Sequence, residues 1–195
     1  STCLAVVIIF ATAGELHNGA FAEELSYPYT QTFVISAYYS PLPCQNKYVT
    51  GSYEGDIRLN GHGVHGADGT DVYPGMVAAP KTYSFGTKLY IPDVGIVAIH
   101  DRGGAIVAAG QRGQSYDRLD IWMGYGDKGL KRALNWGKRT VDVTVYGDTD
   151  SVVEDIEISG YTAEESTPNQ CSDEEYSSEE PLLTEESSNS NYYTS

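Results

Sequence analysis

Between Gln31 and Gly147 the apolar residues come in short runs cut by glycine-rich turns, a pattern that leaves little room for long helices. Gln31–Tyr39 is rich in β-branched and aromatic residues, and Met76–Ala79, Thr87–Ile91 and Gly95–Asp101 follow in close succession. Arg118–Trp122 alternates, with Leu119 and Ile121 on one face and Arg118, Asp120 and Trp122 on the other. Thr140–Tyr146 alternates too, placing Val141, Val143 and Val145 on its buried face. One helix interrupts the strands. Asp127 is placed to cap it, Leu130, Ala133 and Leu134 give an i, i+3, i+4 stripe, and Gly137 ends it. Lys131, Arg132, Lys138 and Arg139 gather near its C-terminus, where the helix dipole favours cations. Many short strands and one short helix predict a mainly β fold built as a small barrel.

The charge marks off the rest of the chain. The 195 residues carry a formal net charge of −15, yet from Asp148 onward there are 14 acidic residues and no Lys or Arg, against 13 acidic and 12 basic before it. Residues 31–147 therefore form a near-neutral domain, and residues 148–195 a Ser/Glu-rich tail expected to be disordered. Val152–Ile158 is a candidate extra strand at the junction. Neither part offers the basic footprint that nucleic acid requires. Residues 1–22 read as an export leader, truncated at its start. Cys3–Gly14 is uncharged, apolar and too short to span a bilayer, and Ala20-Phe21-Ala22 fits the small-x-small cleavage rule. A buried N-terminal strand is the alternative. Residues 23–30 are a polar linker, and no later segment is apolar enough to cross a membrane. Cleavage would leave Cys44 and Cys171, whose pairing an oxidising compartment permits without requiring it.

Two carboxylates stand out. Asp101 ends a hydrophobic strand in "GIVAIHDRGGAI", just before Gly103 and Gly104. Taken alone, it suits a turn. Asp120 sits mid-strand beside Trp122, where an unpaired charge is costly; a salt bridge to Arg102, Arg112 or Arg118 is the structural alternative to a catalytic role. Asn60–Asp71, "NGHGVHGADGTD", carries His62, His65, Asp68 and Asp71, but no helix holds the histidines and no third one is suitably placed. It reads as a flexible loop, and no metal site is expected. His100 reads as packed or hydrogen-bonded, and Cys44 has no evident histidine partner. No phosphate-binding, dinucleotide or G-x-S-x-G motif is present, so no cofactor is expected.

"GMVAAPKTYSFGTKLYIP", "HDRGGAI", "RLDIWMGYG" and "ALNWGKRTVDVTVY", in that order, resemble the 3D (three-aspartate) domain of bacterial cell-wall proteins. That domain is shared by the membrane-bound lytic transglycosylase A family and by stationary-phase muralytic proteins. The resemblance runs from about Thr32 to Tyr146 and implies a six-stranded double-psi β-barrel. It also implies cleavage of peptidoglycan between N-acetylmuramic acid and N-acetylglucosamine, giving a 1,6-anhydro product, by a protein secreted to the cell envelope. The family's catalytic aspartate falls on Asp120, and the aspartate of the D-x-G-G-A-I turn on Asp101. A monomer acting on glycan strands is expected, with Trp122, Tyr125, Arg102, Gly103 and Gly104 as substrate-binding candidates; Trp122 serves equally well as core. Hydrolysis of O-glycosyl bonds by water is the close variant.

Three departures bear on this reading. Ala79 stands where the family has its first aspartate, with Asp68 or Asp71 as the nearby substitutes. Val107-Ala108 replaces the usual Lys-Gly after the turn, and the insertion "AAGQRGQSYD" lengthens the path to Asp120. The chain also lacks room for the second domain that completes the groove in lytic transglycosylase A. A non-catalytic, expansin-like wall-binding or wall-loosening module is therefore the alternative, and a scaffold for the acidic tail a third.

Overall fold

Strand β1 (Tyr29–Ser40) is the organising element of the computed structural model, which describes residues 26–61, 63–158 and 161. It pairs in parallel with β5 (Asp117–Tyr125) and antiparallel with β6 (Arg139–Asp148). Next to β6 comes β3 (Thr87–Ile91), then β4 (Gly95–Asp101), both antiparallel. The two-residue β2 (Val77–Ala78) closes the ring, parallel to β4 and antiparallel to β5. The result is the mainly β, closed six-stranded mixed barrel that the sequence predicts. Closure leaves no unpaired barrel edge, a workable arrangement for strands this short. A further pair, β7 (Asp155–Ile156), lies on β4 within the expected junction strand but is shorter than it. The leader and the tail beyond Tyr161 lie outside the described residues.

Period-two alternation fills the interior. Phe33 and Ile35 of β1, Leu89 and Ile91 of β3, Leu119 and Ile121 of β5, and Val143 and Val145 of β6 are fully buried and pack together. Val141 is only partly buried at the rim.

There are two helices among the described residues, not one. The additional α1 (Tyr53–Asn60) has almost no apolar stripe, so periodicity does not reveal it. It is held by its ends and its first turn: the Ser52 hydroxyl accepts the Gly55 N–H at 3.1 Å, and Glu54 and Asp56 complement the dipole. Asp56 is also fully buried. Its carboxylate accepts hydrogen bonds from the Tyr39 hydroxyl, from the Val49 and Thr50 N–H groups at 2.8 and 2.7 Å, and from the Thr50 hydroxyl at 2.7 Å. Burial alone would raise its pKa, but these bonds outweigh it and hold the carboxyl below its ordinary range. One carboxylate thus pins the loop after β1 and the start of α1 to the barrel.

The expected helix, α2 (Gly126–Trp136), begins one residue before its expected cap. Tyr125 occupies the N-cap position without a side-chain bond, because the Asp127 carboxylate is taken by Asn46 and Lys47. Leu130 and Trp136 turn inward, whereas Leu134 is 66% exposed and not part of the buried stripe. Gly129 lets α2 approach the barrel: a Cβ there would lie 2.4 Å from the Gly124 backbone.

Candidate functional site

Register brings the two carboxylates together. Ala78 of β2 is the partner of Asp120 on β5 and of Asp101 on β4, so the aspartates flank one small residue on adjacent strands. Between Val77–Ile99 and Ala78–Asp101 the register slips by one, leaving His100 as the extra residue of a bulge. A bulge re-aims the side chain that follows it, here Asp101.

The two carboxylates line a pocket of about 80 Å³ with Tyr38. Ala78 also lines it, as do Arg102 and Gly103 from the turn after β4 and Leu59 and Asn60 from α1. A neighbouring cavity of about 300 Å³ shares Arg102 and Gly103 and is lined further by Pro80–Thr82, Gly104 and Ile106–Ala108. Arg102 and Gly103 thus stand between the acidic pair and this second cavity.

Asp101 is fully engaged. Its Oδ2 accepts the Tyr38 hydroxyl at 2.7 Å and its Oδ1 the Arg102 N–H at 2.7 Å. Burial and the adjacent Asp101 raise the Tyr38 pKa well above the ordinary value, so Tyr38 is a fixed donor.

Asp120 is the opposite case. Its Oδ1 is buried without a hydrogen-bond partner, and among the described residues it makes no salt bridge. The Arg102 guanidinium is spent on the Ala79, Asp101 and Tyr83 carbonyls and stacks on Phe85. Arg118 donates to the Ser36 hydroxyl at 3.1 Å, and Arg112 lies exposed on the insertion loop. Burial pushes the Asp120 pKa up to about 6; the Ser36 hydroxyl and the Arg118 charge pull it down, and the Asp101 charge adds to the rise. A carboxyl that stays protonated into the mildly acidic range, with an unused oxygen, is equipped to deliver a proton and take one back.

Arg102 and Gly103 line the pocket, but two of the substrate-binding candidates, Trp122 and Tyr125, lie elsewhere. Trp122 is fully buried, packed with Val72 and Met76, and its Nε1–H donates to the Ser40 hydroxyl at 2.8 Å. It shares the parity of Asp120 but has no surface to offer a sugar ring. Tyr125 packs edge-on against Trp122 with centroids 4.9 Å apart and does not line the pocket. Gly103 clears space for its own turn rather than for a ligand, since a Cβ would meet the Ile106 side chain at 2.6 Å. Gly104 faces open space in the neighbouring cavity.

Nor does the described part of the histidine loop supply a third carboxylate. Asp68 accepts from the Thr70 N–H and pairs with His100 Nδ1 at 2.6 Å, while Asp71 pairs with His65 at the surface. Ala79 is buried in the barrel core. His62 lies outside the described residues, among which no three His, Cys, Asp or Glu side chains are grouped to hold a metal ion. His100 is packed against Tyr73 and hydrogen-bonded, as expected. Cys44 is disulfide-bonded; the other two cysteines, Cys3 and Cys171, lie outside the described residues.

Sequence reasoning missed Tyr38, Ser36, Leu59 and Asn60. The β1 alternation places Ser36 and Tyr38 opposite Phe33 and Ile35 in parity, but only the β1–β5 register sets Ser36 beside Asp120.

No protein-family model matches this chain, and no curated protein matches it. The chemistry of the pocket must carry the functional reading.

Proposed function

We propose that the chain is a glycan-cleaving enzyme acting on peptidoglycan, a lytic transglycosylase with Asp120 as its single general acid and base. The observation that carries this reading is the buried, unpartnered Asp120 Oδ1, on a carboxyl raised to about 6, in a pocket shared with Asp101. In the first step protonated Asp120 gives its proton to the glycosidic oxygen as the bond from C1 to that oxygen breaks. The positive charge developing on the sugar faces Asp101, held by Tyr38 and the Arg102 N–H. Asp120, now a carboxylate, then takes the proton of the muramic acid 6-hydroxyl as that oxygen closes on C1. Water attacking C1 instead gives the hydrolytic variant with the same residues.

Mass spectrometry of digested peptidoglycan tests this. Anhydro-muropeptides are expected with the native chain and not with Asp120→Asn; new reducing ends would point to hydrolysis, and full activity in Asp120→Asn would overturn the reading. Tyr38→Phe is expected to slow turnover about tenfold with little change in KM, because it removes one hydrogen bond to a charged group and leaves the ring in place. An unchanged kcat in a dye-release assay would show that Asp101 needs no such support.

Ala79 favours a second reading, a non-catalytic wall-binding module, because it puts a buried methyl group where a third carboxylate is expected. That module would bind insoluble peptidoglycan without creating new ends, and equally well with Asp120→Asn.

A further inference from the structure

The outer side of α2 carries a groove of about 520 Å³ that the pocket chemistry does not use. The exposed Leu134 gives it most of its apolar surface, with the buried Leu130 at its floor; Lys47 and Lys131 lie along it, Asn46 and Asn135 add amide groups, and Asp127, whose carboxylate is already held by Asn46 and Lys47, completes the lining. Five of the chain's twelve basic residues fall between Lys128 and Arg139, on α2 and just after it. An apolar strip edged by lysines fits an extended segment that is apolar in its middle and acidic on both sides.

The chain contains such a segment. Residues 179–186, "EEPLLTEE", place Leu182 and Leu183 between two pairs of glutamates, and these are the only leucines after Leu134. The route also fits. After β7 the chain passes Glu157 and Ile158, and Tyr161, the last described residue, lies under the Arg132 guanidinium at 4.9 Å from its ring centroid. Tyr161 thus lies against α2, at Arg132, which does not itself line the groove. The number of residues between Tyr161 and Pro181 is enough for a chain to reach roughly 25 Å, against about 16 Å for the whole of α2. Cys44, which is disulfide-bonded, stands just before Asn46 of the groove, and Cys171 belongs to the same tail as the leucine pair.

We propose that the groove on α2 is the docking site for the chain's own residues 179–186. Leu182 and Leu183 seat against Leu134, and the flanking glutamates meet Lys47 and Lys131. The inference stands independently of the reading of the Asp101–Asp120 pocket.

Zero-length carbodiimide cross-linking of the full chain, read by mass spectrometry on an equal mixture of light and isotopically heavy protein, tests it. Lys88 and Glu154, 3.5 Å apart, give an internal positive control. Light–light and heavy–heavy links from Glu179, Glu180, Glu185 and Glu186 to Lys47 and Lys131 are expected. Their yield should fall at least fivefold in a Leu182→Ser, Leu183→Ser variant and in Leu134→Ser, with the control link unchanged. Raising salt to 1 M, where the screening length drops to about 3 Å, should weaken them further. The proposal is overturned by no such links, by links spread equally over Lys81, by yields indifferent to the leucine substitutions, or by mixed light–heavy links showing that a second copy holds the segment.

Discussion

Asp120→Asn is expected to cut the proposed glycan cleavage by roughly 10²–10⁴-fold and, at the same time, to stabilise the protein above pH 6. The two halves have one cause. The Asp120 carboxyl is raised to about 6, above the ordinary value near 3.9, by burial and the Asp101 charge, against the Ser36 hydroxyl and Arg118. The native chain then binds this proton more tightly than the unfolded chain, so stability is lost as pH rises from about 4 to about 6 and stays lost above it. Asparagine fills the same space without a charge and removes a penalty on the order of 3 kcal/mol at pH 8. Activity that depends on the protonated carboxyl should fall about tenfold per pH unit above 6. Urea unfolding at pH 5 and pH 8, beside a dye-release pH profile, checks both halves. A variant that is inactive and also less stable at pH 8 would mark Asp120 as structural. A native profile flat from pH 5 to 8 would remove the argument for general acid catalysis.

The strands were legible because the sequence repeats with a period of two wherever one face is buried, as at Leu119–Ile121 and Val143–Val145. Asp120 was legible for a related reason, since a charged residue inside such a pattern conflicts with burial, whereas Asp101, which taken alone suits a turn, was given a role in the site only by the family resemblance. What parity does not reveal is what covers each face. Trp122 and Asp120 share one side of β5, yet Val72 and Met76 close over the indole and leave the carboxyl open to the pocket. Only the folded chain decides between them. The same limit hid Tyr38, Leu59 and Asn60, which come from β1 and α1 and reach the pocket through pairings distant in sequence. Helix α1 went unread because tertiary hydrogen bonds, not an apolar stripe, hold it in place. Asp127 looked like a cap for want of any sign that Asn46 and Lys47 would claim it.

Asp56→Ala is expected to destabilise the fold by about 3–5 kcal/mol and to disturb the pocket, although Asp56 does not line it. Removing its carboxylate takes the acceptor from the buried Tyr39 hydroxyl and from the part-buried Val49 and Thr50 N–H groups and Thr50 hydroxyl, and a donor left buried without a partner costs about 1–3 kcal/mol. For a domain of this size the loss corresponds to a fall of roughly 10–20 °C in Tm. Asp56→Asn should be milder, because the amide oxygen still accepts, but its NH₂ group then faces donors. The pH dependence follows the opposite sign to Asp120. The folded pKa of Asp56 is lowered, so its contribution is complete above the ordinary carboxylate value and is lost as pH falls through the folded one. The alanine variant should therefore differ most from the native chain at neutral pH and least in strong acid. The link to function runs through α1: Asp56 fixes the helix that supplies Leu59 and Asn60 to the pocket, so residual folded Asp56→Ala should show a raised KM more than a lowered kcat. Thermal unfolding at several pH values with steady-state kinetics on the folded fraction measures both effects. A native Tm in the alanine variant would show that water replaces the carboxylate without cost, and the account of how α1 is held would fall.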